Sequence, residues 1–270
     1  VNPPRANLLF IGDVVGEPAL HFLEHHLPRL IEMHRADFVI ANAENLVLSE
    51  HGAGMTRASL ERLFASGVQL VTGGNHSWDG AEGSSVHVDP RVLRPLNVGA
   101  NFAGRGAGVV TSSTGMRLGV VNAAGRSAIP VADDPLVALE RHLEDWDVDA
   151  VLVDFHSESV FEKTLIAYAL VGRIAALLGT HTHVQTNDAR VLNGGVAFVS
   201  DVGMTGPSGG MQGYDPSGFV TYFRTRGSER PPLELARGDV KLGAVLVRLE
   251  GAEAIQIERI NDRPMQPFEL

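Results

Sequence analysis

NLLFIGDVVG, residues 7–16, decides the fold: a run dense in Leu, Phe and Ile stops at Gly12, delivers Asp13, and leads into an amphipathic stretch of helical length over 18–34. A short apolar run bounded by turn residues is the mark of a buried strand, and a helix directly after it is the opening of a βα unit. The same signature recurs along the chain. Strands are predicted over 7–11, 37–40, 68–71, 117–121, 150–153 and 174–178, with helices over 18–34, 56–66, 135–145 and 160–172 between them. Strands alternating with helices place helices on the faces of a sheet, so the fold class is α/β. The last third changes character: 191–200, 218–225, 241–249 and 254–260 read as strands joined by turns, which favours a mixed or second sheet over a purely parallel one.

The chain has 270 residues, 44% hydrophobic and 20% charged, which suits one domain with a sizeable core. A formal charge of -10 argues against a long nucleic-acid ligand, because such binders carry basic patches that displace counterions. The absence of cysteine excludes disulfides, thiolate nucleophiles and iron–sulfur clusters, so a metal must be held by His, Asp, Glu and Asn. No run approaches the roughly 20 apolar residues of a membrane span, and VNPPRANLLFIGD enters a predicted strand without a signal-peptide pattern. A cytoplasmic enzyme with no membrane partner is the expectation. Two segments rich in Gly, Ser and Pro, 77–108 and 204–218, read either as lids that touch substrate or as irregular surface connections. The domain expected is a single one over 1–270, with 77–108 as its lid or cap.

The residues that carry chemistry all follow a predicted strand. Asp13 follows LLFIG, Glu44 and Asn45 follow FVIANA, Asn75 and His76 follow QLVTGG, His156 follows VLVDF, and His181 with His183 follow AALLGT. In α/β sheets that edge is where loops converge on ligands. The set comprises two carboxylates, two amides and four imidazoles, an oxygen and nitrogen shell that suits Mn, Fe or Zn ions. A pair of ions about 3.5–4 Å apart can use the whole set if a carboxylate bridges them, and Glu44 is the candidate bridge. Taken singly, several of these residues have plainer readings. Asp13 can be a turn residue, Asn42 and Asn45 capping or turn residues, and His156 a core or capping histidine. In GGNHSWD, residues 73–79, adjacent Asn and His point differently, so that one can ligate while the other faces substrate. His181 and His183, at spacing two in a stretch taken as extended, project to one side. His21, His25, His26, His34, His51, His87 and His142 read as solvated.

In order, GDVVG (12–16), ANAENL (41–46), GGNHSWD (73–79), DFHSES (154–159) and GTHTHVQTND (179–188) resemble the calcineurin-like metallophosphoesterase superfamily, and within it the YmdB-like branch of bacterial phosphodiesterases. GMTGP at 203–207 and IERI at 257–260 add to the likeness, which runs nearly end to end. Two departures from the wider superfamily, Asp13-Val14-Val15 where Asp-x-His is usual and Glu44 where a bridging Asp is usual, look like that branch. The resemblance implies a β-sandwich of two mixed sheets flanked by helices. It implies one ion on Asp13, Glu44, Asn45 and His183, and a second on Glu44, Asn75, His156 and His181. Fe or Mn are the foremost candidates for these divalent or trivalent ions, Zn or Mg the alternatives. His76 stays free to protonate the leaving oxygen. The expected reaction is hydrolysis of small phosphodiesters, notably 2′,3′-cyclic nucleotides, by a hydroxide bridging the ions. The alternatives are a phosphomonoesterase or nucleotidase on the same ions and a nucleotide-sensing regulatory protein with little turnover. A homo-oligomer is expected as well.

Overall fold

The central strands are buried on both faces, and successive side chains along them enter two different cores. In the computed structural model, which describes residues 3–49, 52–99, 101–227 and 230–261, Leu8 and Phe10 of the first strand point into one buried cluster and Leu9 and Ile11 into another. The first sheet is built from β1 (Arg5–Ile11), β2 (Phe38–Asn42), β5 (Leu70–Thr72), β14 (Gly243–Glu250) and β15 (Glu253–Asn261), in the order β15-β14-β1-β2-β5. The second is built from β6 (Ala107–Thr111), β7 (Arg117–Ala124), β8 (Ala150–His156), β9 (Ala176–Thr180), β10 (Arg190–Leu192) and β11 (Val196–Val199), in the order β10-β11-β9-β8-β7-β6. Two short ribbons complete the strands, β3 (Val47–Ser49) with β4 (Gly52–Gly54) and β12 (Gly206–Pro207) with β13 (Val240–Lys241).

Both sheets are mixed. In the first, β1, β2 and β5 are parallel and β14 returns antiparallel. In the second, β7, β8, β9 and β11 are parallel, with antiparallel edges at β6 and β10. Phe10, Phe38, Ile40, Leu118, Leu152, Leu178 and Val245 fill the space between the sheets. Helices α1 (Gly16–His34) and α2 (Arg57–Ala65) cover the outer face of the first sheet, where Leu20, Leu23, Leu27, Leu60 and Leu63 meet Leu9, Ile11, Val39 and Val71. Helices α3 (Pro135–Leu143) and α4 (Val160–Ala169) cover the second, with Leu139 and Ile166 against Val121, Val153 and Phe198. The result is the β-sandwich of two mixed sheets flanked by helices that the resemblance implies.

Local signals explain the helix starts. Thr56 and Ser59 form a reciprocal capping box on α2, Asp134 caps α3 ahead of Pro135, and Ser159 caps α4. Four readings are corrected. The stretch read as a strand over 218–225 is helix α5 (Ser217–Thr225), started by Asp215, whose carboxylate accepts from the Ser217 N–H at 2.8 Å. Its Thr221 and Thr225 hydroxyls bond the carbonyls four residues back, so strand-forming side chains are accommodated in a helix. The helix expected over 160–172 ends at Ala169, and 191–200 is two strands separated by a glycine turn. His87, read as solvated, is buried, and its Nε2–H donates to the Ser77 carbonyl at 2.8 Å; His51 lies outside the described residues.

Phe10 is wholly buried between the sheets, three positions before Asp13. Phe10→Ala is expected to lower unfolding free energy by about 3–5 kcal/mol through lost burial and a residual cavity, read as a shifted urea midpoint.

Candidate metal centre

Because β1, β2 and β5 run parallel, as do β8 and β9, their carboxyl ends fall on one edge of each sheet. Polar groups tie those edges together. Asn42 at the end of β2 donates to Asp154 of β8 at 2.9 Å, Thr72 of β5 donates to the same carboxylate, and Asn122 of β7 donates to the Gly73 carbonyl at 3.1 Å. The predicted site residues gather at this seam. His156 Nε2 lies 3.1 Å from Glu44 Oε1, 3.0 Å from Asn75 Oδ1 and 2.9 Å from His181 Nδ1. His183 Nε2 lies 3.2 Å from Asn45 Oδ1 and 3.8 Å from Asp13 Oδ1. Asp13 joins the two groups, its Oδ1 being 3.9 Å from His156 Nδ1 and its Oδ2 accepting from the His181 N–H at 3.2 Å.

Backbone constraints hold these side chains in place. His181 and His183 do not lie in an extended stretch: their φ values are +99° and +63°. Left-handed backbone at two histidines is uncommon and is held by neighbours, here by the Thr182 N–H donating to Asp201 and by the Met204 N–H donating to the His183 carbonyl. The GMTGP segment clamps the first loop, since Thr205 N–H donates to the Asp13 carbonyl and Val15 N–H to the Thr205 carbonyl, each at 2.9 Å. Gly74 is required for a steric reason: a Cβ there would sit 2.3 Å from Glu44 Oε2 and 2.4 Å from His156 Nε2.

Hydrogen bonds behind the site settle which ring nitrogens face it. The Thr180 hydroxyl donates its one proton to Asp154 Oδ1 at 2.7 Å, so it accepts from His156 Nδ1–H at 2.9 Å. That leaves His156 Nε2 facing Glu44 and Asn75, as an N–H donor while the ring is protonated and as a lone pair once a cation takes that proton's place. The His183 Nδ1–H donates to the Gln212 carbonyl at 2.8 Å, which likewise turns Nε2 inward. Such outer partners orient metal-ligating imidazoles and raise their basicity.

The electrostatics call for positive charge. Asp13, Glu44 and His156 are at most 1% exposed. Burial raises the Asp13 carboxyl above its ordinary value despite the opposing pull of His183 and His156. Burial would also raise Glu44, but the His156 charge and hydrogen bond, with help from His76, bring it down to about 2. His156 reverses the pull of its own burial, since Glu44, then Asp13 and Asp154, hold it up to about 9. Burial, and next the His156 charge, push His181 down to about 3. In this state the proton on His156 supplies the positive charge. Asp13 Oδ1 nonetheless has no hydrogen-bond donor, and single donor atoms of Glu44, His156 and His181 lie within 4.8 Å of one another. An orphaned buried carboxylate oxygen beside converging lone pairs fits a cation.

The centre opens into a cleft of about 790 Å³. His76 lines it, with its backbone N–H donating to Glu44 Oε2 at 2.9 Å and its ring Nδ1 2.7 Å from Asp79 Oδ2. Phe219, Tyr222 and Phe223 of α5 line the same cleft. Sequence reasoning missed the supporting residues Asn122, Asp154, Thr180, Lys163 and Asp201. Asp154 within VLVDF and Asn122 within VVNAA interrupt apolar strands, which was the available signal. Lys163 carried none, as one lysine on an amphipathic helix, although its Nζ lies buried 3.0 Å from Asp201 Oδ2.

This fold belongs to a known class. The family model described as "YmdB-like protein" matches residues 9–260. The chain is 36% identical to a 2′,3′-cyclic-nucleotide 2′-phosphodiesterase of Bacillus subtilis, covering 94% of this chain and 96% of the relative. It superposes on a hypothetical protein of Thermus thermophilus with a TM-score of 0.86 at 38% identity, covering 93% and 97% of the two chains. A structure described as a novel phosphatase from Mycoplasma pneumoniae matches with a TM-score of 0.88 at 30% identity, covering 96% and 94%. The chain is a member of the YmdB-like family.

The Thr180 hydroxyl makes a prediction. Thr180→Val is expected to weaken binding of added Mn²⁺ by about 10–100-fold in a calorimetric titration, because His156 loses its orienting acceptor. Thr180→Ser keeps the hydroxyl and is expected to restore most of that affinity.

Proposed function

We propose that this chain is a metal-dependent phosphodiesterase that hydrolyses small phosphodiesters, with 2′,3′-cyclic nucleotides as the substrate class. The observation that carries the reading is the orphaned Asp13 Oδ1 beside the inward-facing nitrogens of His156, His181 and His183, in a cleft that His76 also lines. The Bacillus relative's activity supports the choice of substrate. Asp13, Asn45 and His183 would hold one ion, Asn75, His156 and His181 a second, with Glu44 shared. Fe or Mn suits this oxygen and nitrogen set best, with Zn or Mg as alternatives. Ions bound there would supply Lewis-acid stabilisation of the phosphoryl oxygens and lower the pKa of the attacking water.

The remaining work falls to the chain's own residues. Asp79 accepts from His76 Nδ1–H, which fixes the ring and leaves Nε2 free to hand a proton to the departing ribose oxygen. The His76 backbone N–H holds Glu44 Oε2, so the acid and the shared carboxylate are registered by one residue. Residues 1–270 are read as one metallophosphoesterase domain, with 77–108 as a cap beside His76. Its Trp78 ring stacks near Phe102 at 4.6 Å, and His87 holds the Ser77 carbonyl next to the Asn75–His76 turn.

The chain is also read as a homo-oligomer, with the exposed Phe161, Leu165 and Tyr168 stripe of α4 as an apolar contact face. A cytoplasmic setting rests on the cysteine-free composition. Among the described residues no helix is long and apolar enough to cross a membrane.

His76→Ala is expected to keep its metal content while kcat on 2′,3′-cyclic nucleotides falls about 10²–10⁴-fold, with a smaller loss on p-nitrophenyl diesters, whose leaving group needs no proton. Full turnover of cyclic nucleotides by that variant would remove His76 from the chemistry. Glu44→Ala is expected to lose the ion pair; elemental analysis finding two ions per chain would overturn its shared role. Comparing bis-(p-nitrophenyl) phosphate with p-nitrophenyl phosphate separates this reading from a phosphomonoesterase, the activity suggested by the Mycoplasma structure's description.

A further inference from the structure

Helix α5 buries none of its residues, yet it is rich in aromatic side chains. Phe223 is 81% exposed, and Phe219 and Tyr222 are half-buried. A helix with no core face contributes little to folding, so this composition needs another explanation. All three rings line the same cleft as Glu44, Asn75, His76, His181 and His183. The Arg230 guanidinium lies 5.6 Å from the Phe219 ring, and Tyr222 and Phe223 pack edge to face at 6.2 Å. The lining of the cleft therefore combines a polar, anionic part with an aromatic part that has a cation beside it.

The aromatic wall is tied to the metal-facing wall. The excursion that carries α5 leaves from β12 and returns at β13, and its two arms are stitched together by the Asp215 N–H donating to the Glu234 carbonyl and the Ala236 N–H to the Gly213 carbonyl, each at 2.8 Å. On the near arm the Gln212 carbonyl accepts from His183 Nδ1–H, while Gln212 Nε2 donates to the Thr182 carbonyl, each at 2.8 Å. The residue that orients His183 thus lies five positions before α5 begins.

We propose that Phe219, Tyr222 and Phe223, with Arg230, form a nucleobase subsite, on which the base of a nucleotide stacks while its phosphate lies at the His181–His183 end of the cleft. The inference rests on the phosphodiesterase reading for the identity of the substrate. The cleft meets each physical requirement. A base offers a flat π-face to an aromatic ring whatever its sequence identity, an arginine strengthens such a platform, and a cleft of about 790 Å³ falls in the range of small-ligand sites. The exposed rings are explained by the same step, because they are covered when substrate is bound.

The test uses equilibrium binding, which needs no turnover. With the full chain loaded with Mn²⁺, adenosine 3′-monophosphate and ribose 3-phosphate are titrated against the native protein and against the double variant Tyr222→Ala/Phe223→Ala. The native protein is expected to bind the adenosine compound roughly 5- to 30-fold more tightly than the base-free one, and the variant to lose that preference while binding ribose 3-phosphate as before. A native protein without the preference, or a variant that keeps it, would overturn the subsite, as would equal weakening of both ligands. A smaller mass of the variant by light scattering, with the base preference intact, would assign the face to contact between copies instead. A retained base preference in a native protein that hydrolyses no phosphodiester would sink the phosphodiesterase reading and leave the subsite standing.

Discussion

A carboxylate removed from water must find compensation, and this molecule buries four of them, Asp13, Glu44, Asp154 and Asp201, around one seam, each at most 1% exposed. Three are well compensated. Asp201 has the Lys163 ammonium and the N–H groups of Thr182 and Gly203. Asp154 accepts from Asn42, Thr72 and Thr180, although burial still holds it up at about 6. Glu44 has His156 and the His76 N–H. Asp13 is the exception, with one oxygen left without a donor and its affinity for a proton raised. A buried charge that is short of partners destabilises the fold that contains it, and a proton or a bound cation would relieve it. Sheet geometry, loop strain and glycine placement all serve to keep that deficit at one point.

The same polar groups explain why the two sheets meet in one register. Leu, Ile, Val and Phe side chains between sheets specify separation better than sliding, because hydrophobic contact is not directional. Here one end of the apolar interface is closed by directional bonds from Asn42 and Thr72 of the first sheet to Asp154 of the second. Asn122 adds both a donor and an acceptor to Gly73. Sliding the sheets by one residue would break all of these at once, in a buried setting where each unpaired group costs about 1–3 kcal/mol. Asp154 then does double duty: it closes the interface and, through Thr180, sets the tautomer of His156.

The layers and the strand-end positions of the clustered residues were legible in the sequence because their signals are local. An apolar run followed by a polar residue marks a buried parallel strand and its functional end, and the runs before Asp13, Glu44, Asn75, His156 and His181 all form strands that converge. What the sequence concealed depends on partners distant in the chain. Lys163 is an unremarked lysine until Asp201 closes over it. The ring directions of His181 and His183 follow from positive φ values held by the loop around Asp201, not from strand alternation. The segment GFVTYFRT was misread because Val, Thr, Tyr and Phe favour strands where packing decides, and α5 has no core packing to impose a helical period. Its helix is bounded instead by Asp215 at its start and Arg226 in the left-handed region at its end, and its threonine hydroxyls find acceptors on carbonyls within it.

That last misreading points to how the molecule divides its labour. Elements that bury a face are committed to folding, and their polar ends, fixed by the sheets, can be positioned closely enough for chemistry. An element that buries nothing is free of that commitment, and its side chains can be chosen for what they meet in the cleft. Gln212 joins the two parts. Its carbonyl orients His183 on the rigid side while its backbone, in the left-handed region at φ +55°, turns the chain out toward α5. Changes in α5 therefore leave the sandwich and its buried carboxylates undisturbed, whereas a change at Gln212 reaches both the wall that would take the substrate and the imidazole that would hold the ion.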